Sequence, residues 1–253
     1  MEAPSFFPAC SFQGLHSTFQ GGFMSTDFLE SILSLVFPPL CSVCGEELHG
    51  EKLICSTCFA DVREIPPPVC EVCGRPIKKG KICRECKKGR EFDVVRGYGL
   101  YEHPLKEIIK IFKYRHSPSL GKRLARFLYL AMEKAPVLFK VDFITPVPVH
   151  FLRRMERGFN QCDVLAHELS ELTGIPVRNV LYKKKITLPQ ALLSHDKRKT
   201  NLRGAFRVKE EIDGKRILLV DDVLTTGSTL EEAARVLKEN GAVWVGGVVL
   251  AVG

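Results

Sequence analysis

The chain has 253 residues, which at roughly 150 residues per domain is one and a half to two domains and enough to bury a core. Hydrophobic residues at 45% and charged residues at 26% exclude a disordered chain, and the closest approach to a membrane span, Val243 to Gly253, stops at eleven residues with three glycines, short of the ~18 such a helix needs. The net charge of +8 is concentrated, because Phe151 to Arg207 holds twelve Lys or Arg against five Asp or Glu; that surplus suits a polyanion, a phosphorylated small molecule or a nucleic-acid backbone, with a solvated basic face as the plain alternative.

Residues 1–23 mix Phe, Pro, Ser, Gln and Gly without periodicity, and a helix is expected from Ser25 or Thr26, with Leu29, Ile32, Leu33 and Val36 on one face. Gln20 to Phe23 can be encoded as a purine-rich ribosome-binding site, which makes Met24 a candidate start; N-terminal mass spectrometry of the native protein tests this. No charged n-region with an apolar core precedes it, so a reducing cytoplasm is expected.

Eight of the ten cysteines form four CxxC pairs, at 41/44, 55/58, 70/73 and 83/86, all within 46 residues. This spacing matches tetrahedral four-thiolate zinc sites better than a disulfide framework, which needs an oxidising compartment. CSVCGEEL at Cys41 is echoed by CEVCGRPI at Cys70, and CSTC at Cys55 by CREC at Cys83, at offsets of 29 and 28 residues. A duplicated unit holds a complete site, so Cys41, Cys44, Cys55 and Cys58 are assigned to one Zn2+ and Cys70, Cys73, Cys83 and Cys86 to a second, crossed pairing being the alternative. Four-thiolate sites leave no position for water, so both ions are structural. Gly45 and Gly74, each following a second cysteine, are expected at positive φ. The IPPPV run from Ile65 to Val69 reads as a stiff spacer between the two units.

From Asp93 onward, apolar strands alternate with amphipathic helices: DVVRGYGLY extended, PLKEIIKIFKYRH and SLGKRLARFLYLAMEKA helical, DFITPVPV extended, GFNQCDVLAHELSELTG helical, RILLVDDV extended, STLEEAARVLKENGA helical and VWVGGVVLAV extended. The expected fold is α/β, a parallel sheet flanked by helices, preceded by a small cysteine-rich zinc-ribbon region.

Ligands in such sheets sit at the carboxyl ends of strands, and one junction dominates there. Ile217 to Thr229 reads ILLVDDVLTTGST: a buried strand, two acids and a loop of hydroxyl residues opening a helix. Asp221 and Asp222 can accept hydrogen bonds from a vicinal diol. Thr225, Thr226, Gly227, Ser228 and Thr229 can wrap a phosphate with backbone N–H groups and hydroxyls, Gly227 allowing close approach. Together they describe a ribose 5-phosphate. The ordinary alternative is a strand-turn-helix with Asp222 as a turn residue and Ser228 or Thr229 as the N-cap. The run resembles the PRPP-binding motif of type I phosphoribosyltransferases, which brings the expectation of PRPP held with Mg2+.

RRMERGFNQ from Arg153, TLPQALLSHDKRKTNLRGAF from Thr187, KYR from Lys113 and the CxxC pairs together resemble the competence protein ComF family, over roughly Phe28 to the C-terminus. That resemblance implies a zinc-binding segment joined to a type I phosphoribosyltransferase-like domain, often described as amidophosphoribosyltransferase-like and associated with DNA uptake in natural transformation. It divides the chain into 1–27, a disordered or misassigned start; 28–89, a helix and double zinc ribbon; and 90–253, the phosphoribosyltransferase-like domain. Arg153, Arg157, Gly158, Asn160 and Gln161 match the family's first signature, and Gln190, Leu193, Arg198, Asn201 and Phe206 its second. Lys185 and His195 stand where arginine is usual; a lysine keeps the charge but loses the bidentate fork.

Asp221, Asp222, Arg153 and Arg157 are accordingly the candidate catalytic residues, the two arginines supplying donors where pyrophosphate leaves. The turn at Val147 and Pro148 is expected beside the pyrophosphate. Lys183 to Arg203, with Lys185, Gln190, Arg198 and Asn201, is expected to form a flexible loop closing over PRPP, or else an exposed basic loop. Surface helix-capping charge is the plain alternative for the two arginines. His150 reads as structural ahead of catalytic, and Cys162 as a core residue ahead of a reactive one. The acceptor hood is expected within Asp93 to Lys134.

Three function classes follow: transfer of ribose 5-phosphate from PRPP to an unidentified acceptor, a non-catalytic factor handling single-stranded DNA, and a PRPP sensor. Expected partners are PRPP and either single-stranded DNA or competence proteins. A homodimer through the ribbons or the Phe28 to Phe37 helix is an arrangement the sequence allows.

Overall fold

The computed structural model describes residues 38–50, 53–115, 117–149, 155, 158–184 and 204–253. Leu40–Gly253 is one compact unit. The helix expected over Phe28 to Phe37 lies outside the described residues.

Strands β1 (Val94–Leu100), β2 (Phe143–Pro146), β5 (Arg216–Leu224) and β6 (Trp244–Val252) form an entirely parallel sheet in the order β1-β6-β5-β2. Strands β3 (Leu181–Lys183) and β4 (Phe206–Val208) make a separate antiparallel ribbon. After a short helix α1 (Ser56–Ala60), helices α2 (Leu105–Tyr114) and α3 (Pro118–Glu133) follow β1, α4 (Gln161–Thr173) lies between β2 and β3, and α5 (Ser228–Glu239) joins β5 to β6. All eight elements expected after Asp93 are present; α1, β3 and β4 are additions.

The termini of these helices are legible in local chemistry. Ser117 caps α3, its Oγ accepting from Leu120 N–H at 3.4 Å, with Pro118 at the first turn. Asn160 caps α4, its Oδ1 accepting from Cys162 N–H at 3.2 Å, and Gly174 ends that helix in the left-handed region at φ +72°.

The apolar run in β5 is continuous because both faces of the sheet are covered. Leu218 and Val220 pack with Val248 and Leu250 under α2, α3 and α4, while Ile217 and Leu219 pack with Val245 and Val249 against α5. The two cysteine units divide between these layers. Cys41, Cys55, Cys58 and Phe59 join the cluster containing Leu105, Leu124 and Leu128, whereas Cys70, Cys73 and Cys86 join the cluster containing Leu230 and Leu237. Between them the spacer crosses the free edge of β1: Glu64 bridges Gly99, Ile65 N–H donates to Tyr98 O at 2.9 Å, and Val95 N–H donates to Val72 O at 2.7 Å. The ribbons thus cover an edge that would otherwise present unpaired backbone groups.

Candidate functional site

Strand β5 carries Asp221 and Asp222 to its carboxyl end, beside β2 on one side and β6 on the other. The chain then turns through Thr225 and Thr226 to Gly227, whose φ of +83° is the left-handed backbone that launches α5. Gly227 is the N-cap and makes no side-chain cap hydrogen bond, so the alternative with Ser228 or Thr229 as N-cap is corrected. Asp222 is likewise a strand residue, not a turn residue. Gly227 brings no side chain over the N-terminus of α5, the positive end of the helix dipole. Thr226 Oγ1 lies 2.8 Å from Ser228 Oγ and accepts from Ser228 N–H at 3.3 Å, which fixes both hydroxyls. Asp221, Thr225, Gly227, Ser228 and Thr229 line one shallow concavity.

The two acids have different surroundings. Asp222 is 8% exposed, and its Oδ2 accepts from Gln161 Nε2 at 3.0 Å and meets Lys113 Nζ at 3.0 Å. Burial lowers the Lys113 pKa, but Asp222 more than offsets this and holds it above the ordinary lysine value. Asp221 accepts from Asp222 N–H at 2.8 Å and from the Cys162 thiol at 3.5 Å. Burial first, and then the charge on Asp222, push the Asp221 carboxyl up to about 7. Burial and the same two acids push the Cys162 thiol well up, so it is a neutral donor; the core placement expected for it is correct, with a bond to Asp221 in addition.

The turn after β2 joins this site through backbone. Val147 is buried, its N–H donates to Val220 O at 2.9 Å, and its carbonyl accepts from Asn160 Nδ2 at 3.5 Å; Pro148 follows. The GFNQC run is therefore a clamp in which Asn160 holds the turn, Gln161 holds Asp222 and Cys162 meets Asp221. Arg153, Arg157, His150, Lys185, Gln190, Arg198 and Asn201 lie outside the described residues. Phe206 is fully buried in β4. Of the hood segment, Val94–Leu100 is the outer strand of the main sheet beside β6. Lys113 was legible only as part of KYR; no local pattern says that it reaches an acid on β5.

The cysteines fall into the two groups that the internal repeat implies, each with its four sulfurs within 4.8 Å of one another. Cys41–Cys58 sulfurs are 3.9 Å apart, and the Cys44–Cys55 and Cys73–Cys83 pairs 3.8 Å. A tetrahedron of Zn–S bonds of about 2.3 Å has edges of about 3.8 Å, so the groups fit zinc without rearrangement. Cys55 N–H donates to Cys41 Sγ and Cys83 N–H to Cys70 Sγ, both at 3.3 Å. Burial raises these two thiols, but backbone donors outweigh it and bring Cys41 to about 6 and Cys70 to about 7, whereas burial and the neighbouring thiols hold Cys58, Cys73 and Cys86 above the ordinary value. Gly45 and Gly74 turn at φ +79° and +69° as expected.

Residues 32–87 match the double zinc ribbon domain family, and residues 156–252 match the phosphoribosyl transferase domain family. The chain is 35% identical over 210 residues to competence protein F of Haemophilus influenzae, covering 79% of this chain and 91% of that protein. The chain belongs to the competence protein ComF family. Within it, the DNA utilization protein YhgH of Escherichia coli K12 is 33% identical over 80% of this chain and 86% of its own length, and competence protein ComFC of Bacillus subtilis is 29% identical over 77% and 81%. Among solved structures, the ComF-family chain resembles glutamine phosphoribosylpyrophosphate amidotransferase from B. subtilis at 23% identity and TM-score 0.38, over 56% of this chain and 30% of that one. It also resembles purine phosphoribosyltransferase from Pyrococcus horikoshii Ot3 at 21% identity and TM-score 0.32, over 51% and 70%. Among the described residues, no helix is long and apolar enough to cross a membrane.

Proposed function

We propose that this ComF-family protein is a cytoplasmic factor in DNA uptake or utilisation whose carboxyl-end site binds PRPP with Mg2+. The observation that carries the binding site is the combination at one strand end of paired acids with a hydroxyl-rich turn and a helix whose N-cap is a glycine at φ +83°. Asp221 and Asp222 would receive the ribose hydroxyls, Thr225 to Thr229 the 5-phosphate, and the Val147–Pro148 turn with Arg153 and Arg157 the pyrophosphate. The acidic pair and the anion cradle suit Mg2+ with a phosphorylated sugar; bound Mg2+ supplies charge for the pyrophosphate. The names of the relatives, which speak of competence and DNA utilization, support the DNA role.

A second reading adds chemistry: transfer of ribose 5-phosphate to an acceptor with release of pyrophosphate. Asp221, raised to about 7, is poised to exchange a proton near neutrality, which favours this reading over a purely sensory site. Single-stranded DNA handling is favoured by Tyr182, which is exposed on β3 directly across from exposed Arg207 on β4.

Calorimetric titration of PRPP into the zinc-loaded chain, with and without Mg2+, tests the site. Mg2+-dependent binding that is lost in Asp221→Asn and Asp222→Asn is the expected result, and no binding to folded protein refutes it. A pyrophosphate-release assay over candidate amines then separates transferase from sensor. Binding of single-stranded DNA that weakens with salt but ignores Asp221→Asn places the DNA contact elsewhere on the molecule.

A further inference from the structure

Arg90 stands where the second cysteine cluster meets the phosphate loop. Its side chain is only 7% exposed, a burial that a guanidinium tolerates when its charge is met. Its Nη1 lies 3.1 Å from Glu231 Oε2, and Glu231 Oε1 accepts from the Glu91 N–H at 3.0 Å. Both carboxylate oxygens of a residue in the first turn of α5 are thus tied to the chain leaving the ribbon. The same Nη1 lies 3.6 Å from the point where a Cβ on Gly227 would stand, directly against the backbone that turns into α5. Phe92 flanks the guanidinium at 5.7 Å from ring centroid to Cζ.

In the chain Arg90 follows the cluster at once, since Cys86 opens the short turn Cys86–Lys88 and Gly89 leads directly to it. Its Nε is buried with no hydrogen-bond partner among the described residues. Burial lowers the Arg90 pKa, but Glu231 outweighs it, so the guanidinium stays charged. Four thiolates around one divalent ion sum to a net charge of −2, and a buried cation beside them offsets that charge from outside the ligand set. One residue therefore sits four positions after a ligand of the cluster and places its side chain against the first turn of α5 and the loop glycine.

We propose that Arg90 is a positioning residue that couples the second cysteine cluster to the phosphate loop, so that ion occupancy at Cys70, Cys73, Cys83 and Cys86 sets how firmly Thr225 to Thr229 is held for its ligand. The identity of that ligand rests on the reading above; the coupling does not. Without the ion, the ligand-bearing segment loses its constraint, and Arg90 loses the fixed position from which it supports Gly227 and holds Glu231. The first cluster packs in the opposite layer of the sheet.

The test is hydrogen–deuterium exchange on the full zinc-loaded chain and its Arg90→Ala, Glu231→Gln, Cys86→Ser and Cys41→Ser variants, with zinc content measured for each and PRPP present or absent. Arg90→Ala and Glu231→Gln should retain two zinc ions, one per cluster, yet exchange the amides of residues 225–230 about tenfold faster than wild type without PRPP. Cys86→Ser should loosen the same amides, and Cys41→Ser should leave them as in wild type. Unchanged loop exchange in zinc-replete Arg90→Ala overturns the coupling, as does equal loosening by the two cysteine variants. Wild-type protein that follows this pattern but gains no loop protection from PRPP upholds the role of Arg90 and refutes the PRPP reading instead.

Discussion

Lys113 at the end of α2 places its Nζ 3.0 Å from Oδ2 of Asp222 on β5, and the same oxygen accepts from Gln161 on α4. Three separate segments are thereby fastened at one carboxylate with little access to water, where removing one partner costs more than the pair contributes net. Lys113→Met is expected to lower stability by about 2 kcal/mol. A double-mutant cycle with Asp222→Asn, read by urea denaturation, should give a coupling of about 1–2 kcal/mol; additivity would mean the two groups do not interact.

The Asp221 carboxyl, raised from 3.8 to about 7 by burial and by Asp222, makes stability depend on pH in a defined direction. Below pH ~4 the group is protonated in both folded and unfolded chains and costs nothing. Between about 4 and 7 the unfolded chain releases its proton while the native one keeps it, so this contribution to stability is lost as pH rises through the folded value. Asp221→Asn should therefore gain melting temperature relative to wild type as pH increases from 5 to 8. A gap that narrows over that range would contradict the assignment.

Gly227 is the residue whose backbone the proposed phosphate cradle depends on. Alanine there must adopt φ +83° and bring its Cβ to 3.4 Å from Leu224 Cδ1. Gly227→Ala should cost about 1–2 kcal/mol of stability, measured in urea, and reduce PRPP affinity more than Thr229→Ala does. Equal effects of the two substitutions would indicate that the turn geometry is not what binds.

Metal analysis gives a direct count. Wild-type protein should carry two zinc ions, and Cys41→Ser and Cys70→Ser one each, because the sulfurs group by repeat unit. Each variant should also melt earlier, since Cys41 and Cys70 are both part of the apolar layers that cover the sheet. Cys41→Ser combined with Cys55→Ser should still leave one ion, because both belong to one group; loss of both ions from that pair would revive crossed pairing.

Much of this was legible in one dimension. The spacing of eight cysteines and their near-repeat determined the composition of two sites, because a CxxC turn brings its own two sulfurs together whatever the rest of the chain does. Hydrophobic periodicity determined the eight elements after Asp93, and ILLVDDVLTTGST determined a strand, an acidic pair and a hydroxyl-rich turn into a helix, since all thirteen residues are consecutive. Tertiary structure alone decided which distant groups meet them. Lys113, Gln161 and Cys162 reach the acids only when α2 and α4 pack on one face of the sheet, and Arg90 reaches Gly227 only because the second ribbon packs on the other. The two ribbons read as near copies, yet they cover opposite faces, because the spacer between them pairs along the edge of β1. Local sequence encodes backbone preference and side-chain chemistry; the partner of a buried charge is selected by how the layers close around it, and that information is spread over the whole core.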